Sequence, residues 1–299
     1  MIRKGGAVVD ALLTDERKQY KVRAISRNSS SSKAKALADR GVEVAEGDLS
    51  DKASLVKAFT GADSAFIVTD FHSAKTPERE IQQGRNAIDA AKEAGVKFVV
   101  FSTLEDLPQD VKSALPKLDD GYTVPHFEAK ANIKEYLEQS GVPHACLLTS
   151  IFFENFLEGM GPRKQEDGSA AFSTNLGTAP HAWHSVIDIG GSAAEILADP
   201  TKYDGKTIPV NSGYITNDEC AKVYSAVTGE EVRYHEITDE QMASFPFPIA
   251  KELANMFAYY KRFPYYDQLR EPTNCIFKGP SFSEWAKQNV DALKAKAQG

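Results

Sequence analysis

Three consecutive stretches decide the fold: Ala65-Phe-Ile-Val68, then Glu78-Arg-Glu-Ile-Gln-Gln-Gly-Arg-Asn-Ala-Ile-Asp-Ala-Ala-Lys-Glu-Ala-Gly95, then Lys97-Phe-Val-Val-Phe-Ser102. The first and third are short continuous apolar runs, the pattern of strands buried on both faces. Between them Ile81, Gly84, Ile88 and Ala91 repeat at helical spacing, and Gly95 stands where a helix stops. Strand, helix and strand of these lengths close as a parallel pair with a crossing helix.

Outward from this unit the same alternation continues. Strands are predicted at 21–26, 42–45 and 146–149, and helices at 31–40 and 126–140. Ser50 is expected to cap a helix with Leu55, Ala58, Phe59 and Ala62 on one face. Near the start, Val8, Val9, Leu12 and Leu13 also fall at helical spacing. The second half is less regular. It predicts a helix over 152–160, a Gly-, Ser- and Pro-rich loop over 161–180, a helix over 188–198 and a strand over 207–210. Thr216 with Glu219, Thr238 with Gln241, and Ser281 with Glu284 have capping-box spacing. A further helix over 249–262 sets Leu253, Met256, Phe257 and Tyr260 on one face. The reading is α/β: a doubly wound parallel sheet over 1–155 and a smaller C-terminal α+β lobe over 156–299, with 185–211 packing back on the sheet. Ligands of such sheets bind at the carboxyl ends of the strands, so the cleft between the two parts is the expected site.

The beginning of the chain is unusual for this architecture. The first helix is present, but only four residues precede the pair Gly5-Gly6. A buried strand and the front of a phosphate-binding turn take roughly ten. The first strand is therefore expected to be missing from this sequence, leaving the inner edges of the strands at 21–26 and 65–68 unpaired. A start read too late and a remnant with impaired nucleotide binding both stay open as explanations.

Composition narrows the function classes. Thirty-five Lys and Arg against forty-two Asp and Glu give a net charge of −7, which argues against a surface for gripping nucleic-acid phosphates. No apolar run approaches the roughly 20 residues that span a bilayer, and no signal-peptide core is visible. Three widely spaced cysteines, Cys146, Cys220 and Cys275, fit a reducing compartment. His181 and His184 lie three apart in a predicted loop, and no metal site is expected.

Seven segments together carry a family pattern: 5–13, 21–28, Gly-Asp-Leu at 47–49, Phe-Ile-Val-Thr at 66–69, His-Phe-Glu-Ala-Lys at 126–130, Phe-Phe-Glu-Asn at 152–155 and Leu-Ala-Asn-Met-Phe at 253–257. In this order and spacing the chain resembles the NmrA-like family, atypical members of the short-chain dehydrogenase/reductase group, and within it the redox-sensor branch. The resemblance implies a Rossmann-like domain that binds NADP(H). It implies a redox-sensing or regulatory role, with a protein partner such as a transcription factor, in the cytoplasm or nucleus. The alternative it implies is an NADP-dependent oxidoreductase of secondary metabolism acting on a small aromatic or carbonyl substrate.

Set against that pattern, individual residues acquire expected roles. Arg27 follows the second strand of the fold, where an acid would select NAD; a guanidinium there pairs with the 2′-phosphate of NADP. Asp48 and Leu49 flank the adenine, or Asp48 simply caps a helix. Lys4 and Gly5 belong to the pyrophosphate turn. Thr69, Asp70 and Phe71 lie towards the nicotinamide half, with Gln82 on the helix beyond. Phe152, Phe153, Glu154 and Asn155 offer a nicotinamide face and polar anchors. Lys130 occupies the lysine of Tyr-x-x-x-Lys, where it contacts the nicotinamide ribose, but His126 replaces the tyrosine. His126 is either a general acid or an inert helix-start residue, the inert role being preferred. Tyr259 and Tyr266 are candidates to line the cleft, and the loop 105–125 is a candidate lid.

Overall fold

A computed structural model describes residues 4–298. The chain opens with helix α1 (Lys4–Leu13), followed by β1 (Arg23–Ser26), α2 (Ser32–Ala38), β2 (Glu43–Glu46), α3 (Lys52–Phe59) and β3 (Ser64–Ile67). A short α4 (Phe71–Ala74) leads into α5 (Pro77–Glu93), then β4 (Phe98–Thr103), α6 (Gln109–Ala114), α7 (Pro125–Gln139) and β5 (His144–Leu148). All six residues of β4 are buried, as the apolar run requires. α5 is started by Thr76, whose side chain accepts from Arg79 N, and Gly95 follows its end at φ +77°. The cap of α3 is Asp51 rather than Ser50: its carboxylate accepts from Ala53 N and Ser54 N, a role an ionised acceptor fills better than a hydroxyl.

β3, β4 and β5 run parallel, and β10 (Thr207–Pro209) joins β5 in parallel at the far edge. β1 and β2 form a separate parallel pair. Among the described residues no ladder joins β1 to β3, so β3 is an edge strand of its sheet and β1 pairs with β2 alone. Helices cover both faces. α3, α5 and α7 build one layer around Leu55, Ile88, Ile133 and Leu137. α1 and α8 (Val186–Ala198) build the other around Val8, Ile189 and Ile196. Two glycines set how closely these layers pack. A Cβ on Gly190 would lie 2.3 Å from the Ala7 carbonyl oxygen, so α1 and α8 meet backbone to backbone. A Cβ on Gly84 would lie 2.6 Å from Ile133, where α5 crosses α7.

The second lobe is α+β. It comprises β6 (Ile151–Phe152), a 3-10 turn (Phe153–Leu157), β7 (Arg163–Lys164), β8 (Ala170–Thr174), β9 (His181–His184) and β11 (Gly213–Ile215), whereas α9 (Pro200–Tyr203) packs with α8 and β5 on the parallel sheet. It continues with α10 (Asn217–Thr228), β12 (Val232–Glu236), α11 (Asp239–Ala243), α12 (Ala250–Arg262), α13 (Tyr265–Gln268), α14 (Phe282–Gln288) and α15 (Val290–Gln298). Its strands form two small sheets, β11–β9–β6 and β12–β8–β7. All three capping boxes are formed.

Several expectations for this half are corrected. The 161–180 loop contains β7 and β8; β8 pairs with β12, a partner some sixty residues on that local composition cannot reveal. His181 and His184 lie on a fully buried strand, not a loop. Of the 152–160 helix, Phe152 ends strand β6 and residues 153–157 form a 3-10 turn, which places Phe153 and Phe156 together on the core around Trp183. An i, i+3 repeat is common to both helix types, so spacing does not separate them. Tyr259 and Tyr266 are fully buried and line no cleft. The 105–125 segment is anchored rather than lid-like: Leu107, Val111 and Leu115 are buried, and Asn255 Nδ2 donates to the carbonyls of Pro116 and Thr123 at 2.8 Å each.

Candidate functional site

The carboxyl ends of β1 to β5 and the N-terminus of α1 share one side of the sheet, and the predicted residues divide there into two groups. At the β1–β2 end, Arg27 follows β1 directly, is exposed, and has no hydrogen bond or ion pair among the described residues. Asp48 shapes the turn after β2: its Oδ1 accepts from Ser50 N at 2.7 Å, and its own N–H donates to Ser54 Oγ at 2.9 Å. The Leu49 carbonyl accepts from Asn86 Nδ2 at 2.8 Å, and Gln82 donates to Asn86 Oδ1 at 2.9 Å. Asn86 thus ties α5 to the turn. Asn86 lies 37 residues from Leu49, so no local pattern points to this contact.

The second group converges beyond β3 and β4. Lys130, from α7, donates to Thr69 O at 3.0 Å, Thr69 Oγ1 at 2.8 Å and Glu80 Oε1 at 2.8 Å. Those three bonds use all the donors of an ammonium group. Lys130 and Glu80 are both buried, and Glu80 Oε2 is sealed from solvent without a partner. Glu80 went unnoticed in the sequence because fifty residues separate it from Lys130. Lys4 reaches the same place from α1. Its Nζ is 3.5 Å from Ser102 Oγ and 4.9 Å from the centre of the Phe152 ring. Burial pushes this ammonium down to about 7 and the charge of Lys130 adds to that, while Glu80 and Asp70 pull the other way. Gly5 beside it is exposed, with open space where a Cβ would stand. Asp70 caps α4, accepting from His72 N at 3.1 Å and Ser73 Oγ at 2.6 Å. Phe71 is buried, with its ring 6.0 Å from that of His126.

His126 opens α7, and its Nδ1 is paired with Glu252 of α12. One face of α12 makes a series of such contacts: Glu252 to His126, Asn255 to the 105–125 segment, and Tyr259 to Glu105 at 2.9 Å. Behind them Arg270, fully buried, holds Glu105 through Oε1 at 3.0 Å and Oε2 at 2.6 Å and donates twice to Thr149 O. This network joins the lobe to the ends of β4 and β5. Neither Arg270 nor Glu105 carried a local sequence signal; they lie 165 residues apart.

The residues after β5 part company. Phe152 is half-buried beneath Lys4, its ring centre 4.4 Å from that of His184. Phe153 is fully buried among Trp183, Phe282 and Trp285. Glu154 is committed to α8, accepting from Ser185 Oγ at 2.7 Å, Val186 N at 3.2 Å and Trp285 Nε1 at 3.1 Å. Burial raises its carboxyl group against the pull of those bonds. Asn155 is half-buried in the 3-10 turn. The predicted residues therefore split: Phe153 and Glu154 are engaged by the protein itself, whereas Lys4, Thr69, Asp70, Phe71, His126, Lys130 and Phe152 gather beyond the ends of β3 and β4.

Comparison with known proteins places this architecture. The model of the NmrA-like family matches residues 3–296. The NmrA-like family domain-containing oxidoreductase malD of Malbranchea aurantiaca is 31% identical over 247 residues, covering 77% of this chain and 71% of its own. Among solved structures, NmrA, a negative transcriptional regulator, superposes with a TM-score of 0.79 at 19% identity, covering 98% of this chain and 94% of its own. Citrobacter sp. triphenylmethane reductase, complexed with NADP(H), superposes with a TM-score of 0.74 at 23% identity over 96% of both chains.

Proposed function

The chain belongs to the NmrA-like family, and from that premise we propose that it binds NADP(H) across the carboxyl ends of β1 to β5 and reports nucleotide state rather than turning over a substrate. The observation that carries the reading is Arg27, an exposed and unpartnered guanidinium immediately after β1, with no acid beside it. Such a group suits the 2′-phosphate of NADP by a charge-assisted contact and does not supply the carboxylate acceptor that selects the 2′-hydroxyl of NAD.

The other residues fit the same ligand. The N-terminus of α1, the open space over Gly5 and the Lys4 ammonium suit a pyrophosphate. Asp48, Leu49 and Gln82 would border the adenine half; Thr69, Asp70, Phe71, Phe152 and Asn155 would border the nicotinamide half. The nicotinamide would supply or take up a hydride when bound. Support for a reporting role comes from Lys130: no tyrosine stands one turn before it, and its ammonium is saturated by Thr69 and Glu80. A protein partner such as a transcription factor would read the nucleotide-bound state, in the cytoplasm or the nucleus.

Calorimetric titration tests this. NADPH should bind more tightly than NADH, Arg27→Ala should erase the difference, and purified protein should show negligible NADPH consumption with quinone or carbonyl substrates. Equal losses for both nucleotides in Arg27→Ala would overturn the 2′-phosphate assignment. A second reading, an NADP-dependent oxidoreductase, is favoured by the imidazole of His126 at the mouth of the same cleft and by the kinship with malD. Sustained NADPH oxidation abolished by His126→Phe would establish it instead.

A further inference from the structure

We propose that Glu252 is a positioning residue for the cleft: it holds the proton of the His126 ring on Nδ1 and so makes Nε2 the atom presented to a bound ligand. Glu252 is buried, in the first turn of α12, where the helix N-terminus favours a negative charge. Its hydrogen-bond partner among the described residues is His126 Nδ1. An ionised carboxylate only accepts, so the ring nitrogen that faces it must carry the proton. The opposite nitrogen has no protein partner among the described residues and keeps access to solvent.

The placement of the ring gives this consequence. His126 lies one helical turn before Lys130, with its ring 6.0 Å from Phe71 and 4.9 Å from Phe127. The aromatic neighbours limit its tilt, and Glu252 limits its flip. A neutral ring so held offers Nε2 as an acceptor to a hydroxyl or amide N–H; a protonated one offers it as a donor to a carbonyl oxygen, its charge balanced by Glu252. Glu252 comes from the second lobe and His126 from the first, so the tautomer of a cleft residue is set by the docking of α12. The inference rests on the cleft being the nucleotide site.

Nitrogen-15 spectra of histidine-labelled protein, with His126 assigned by its disappearance in His126→Phe, test the proposal. Above neutral pH the wild type should show a single His126 tautomer, protonated at Nδ1. Glu252→Gln, whose amide oxygen can still accept, should retain it, and Glu252→Ala should shift it towards Nε2–H. A wild-type ring protonated at Nε2, or a tautomer unmoved in Glu252→Ala, overturns the role of Glu252. Should Glu252→Ala not fold, the wild-type spectrum alone decides the point. NADPH is then added, with binding followed by calorimetry. A moved Nε2 signal supports the presentation of that atom to the ligand, and bound NADPH that leaves it unmoved overturns it. Absence of NADPH binding would defeat the nucleotide reading while the tautomer result still stands on its own.

Discussion

Lys130 and Glu80, fifty residues apart in the chain, meet at 2.8 Å beyond the end of β3, and both are buried. Lys130, which the family resemblance leads one to expect on a nicotinamide ribose, uses its donors here on Thr69 and Glu80. Removing one partner of a buried pair leaves an uncompensated charge and costs about 3–5 kcal/mol, whereas an apolar replacement of both is often close to neutral. Glu80→Gln and Lys130→Met should each lower the melting temperature clearly, and the double variant should recover part of the loss. Simple additivity in chemical denaturation would show that the two do not act as a pair.

Arg27 is exposed and makes no hydrogen bond or ion pair among the described residues. Arg27→Ala should leave thermal stability within about 0.5 kcal/mol of the wild type. NADPH affinity should fall by about 1.5–3 kcal/mol, the value of a charge-assisted contact. NADH affinity should hardly change, and paired calorimetric titrations read the difference directly.

Lys4 gives the nucleotide a pH dependence of predictable sign. Its ammonium sits at about 7 in the free protein, so it is mostly neutral in alkaline solution. A bound phosphate favours the charged form, and binding must therefore take up a proton above neutrality. NADPH affinity should weaken as pH rises above 7, by up to about tenfold per pH unit. Lys4→Met should flatten that slope. A wild-type slope that persists in Lys4→Met would assign it to another group.

His184 governs part of the acid limb of stability. Burial pushes its imidazole down to about 3, its Nδ1 bonds the Ser185 carbonyl at 2.7 Å, and its Nε2 is sealed without a partner. The folded protein keeps it neutral while the unfolded chain protonates it near its ordinary value of about 6.5. Unfolding then binds a proton, so stability is lost as pH falls from about 6.5 towards 3, by up to about 1.4 kcal/mol per pH unit. Denaturation midpoints of wild type and His184→Gln across this range should diverge, the variant showing the shallower decline.

Gly190 separates close packing from local helix preference. Alanine is the better helix former, but its Cβ would lie 2.3 Å from the Ala7 carbonyl oxygen. Gly190→Ala should destabilise by about 1–3 kcal/mol because α1 and α8 must move apart. Gly5→Ala meets open space, so its melting temperature should hold or rise slightly.

The sequence by itself determined the repeating strands and helices of the first half, the three capping boxes, the stop at Gly95 and the family pattern. Each is a local property: burial on two faces makes a continuous apolar run, and a cap needs only residues within one turn. Only the tertiary structure decided which polar groups meet. Glu80 with Lys130, Glu252 with His126 and Glu105 with Arg270 join residues 50 to 165 positions apart. The pairing of β8 with β12 likewise joins distant segments, and no periodicity encodes it. The 152–155 segment shows the boundary between the two: its aromatic and polar residues were legible, but the 3-10 turn decided which faced the cleft. In such a turn one residue advances the side-chain direction by about a third of a revolution, so neighbours in sequence end in different environments.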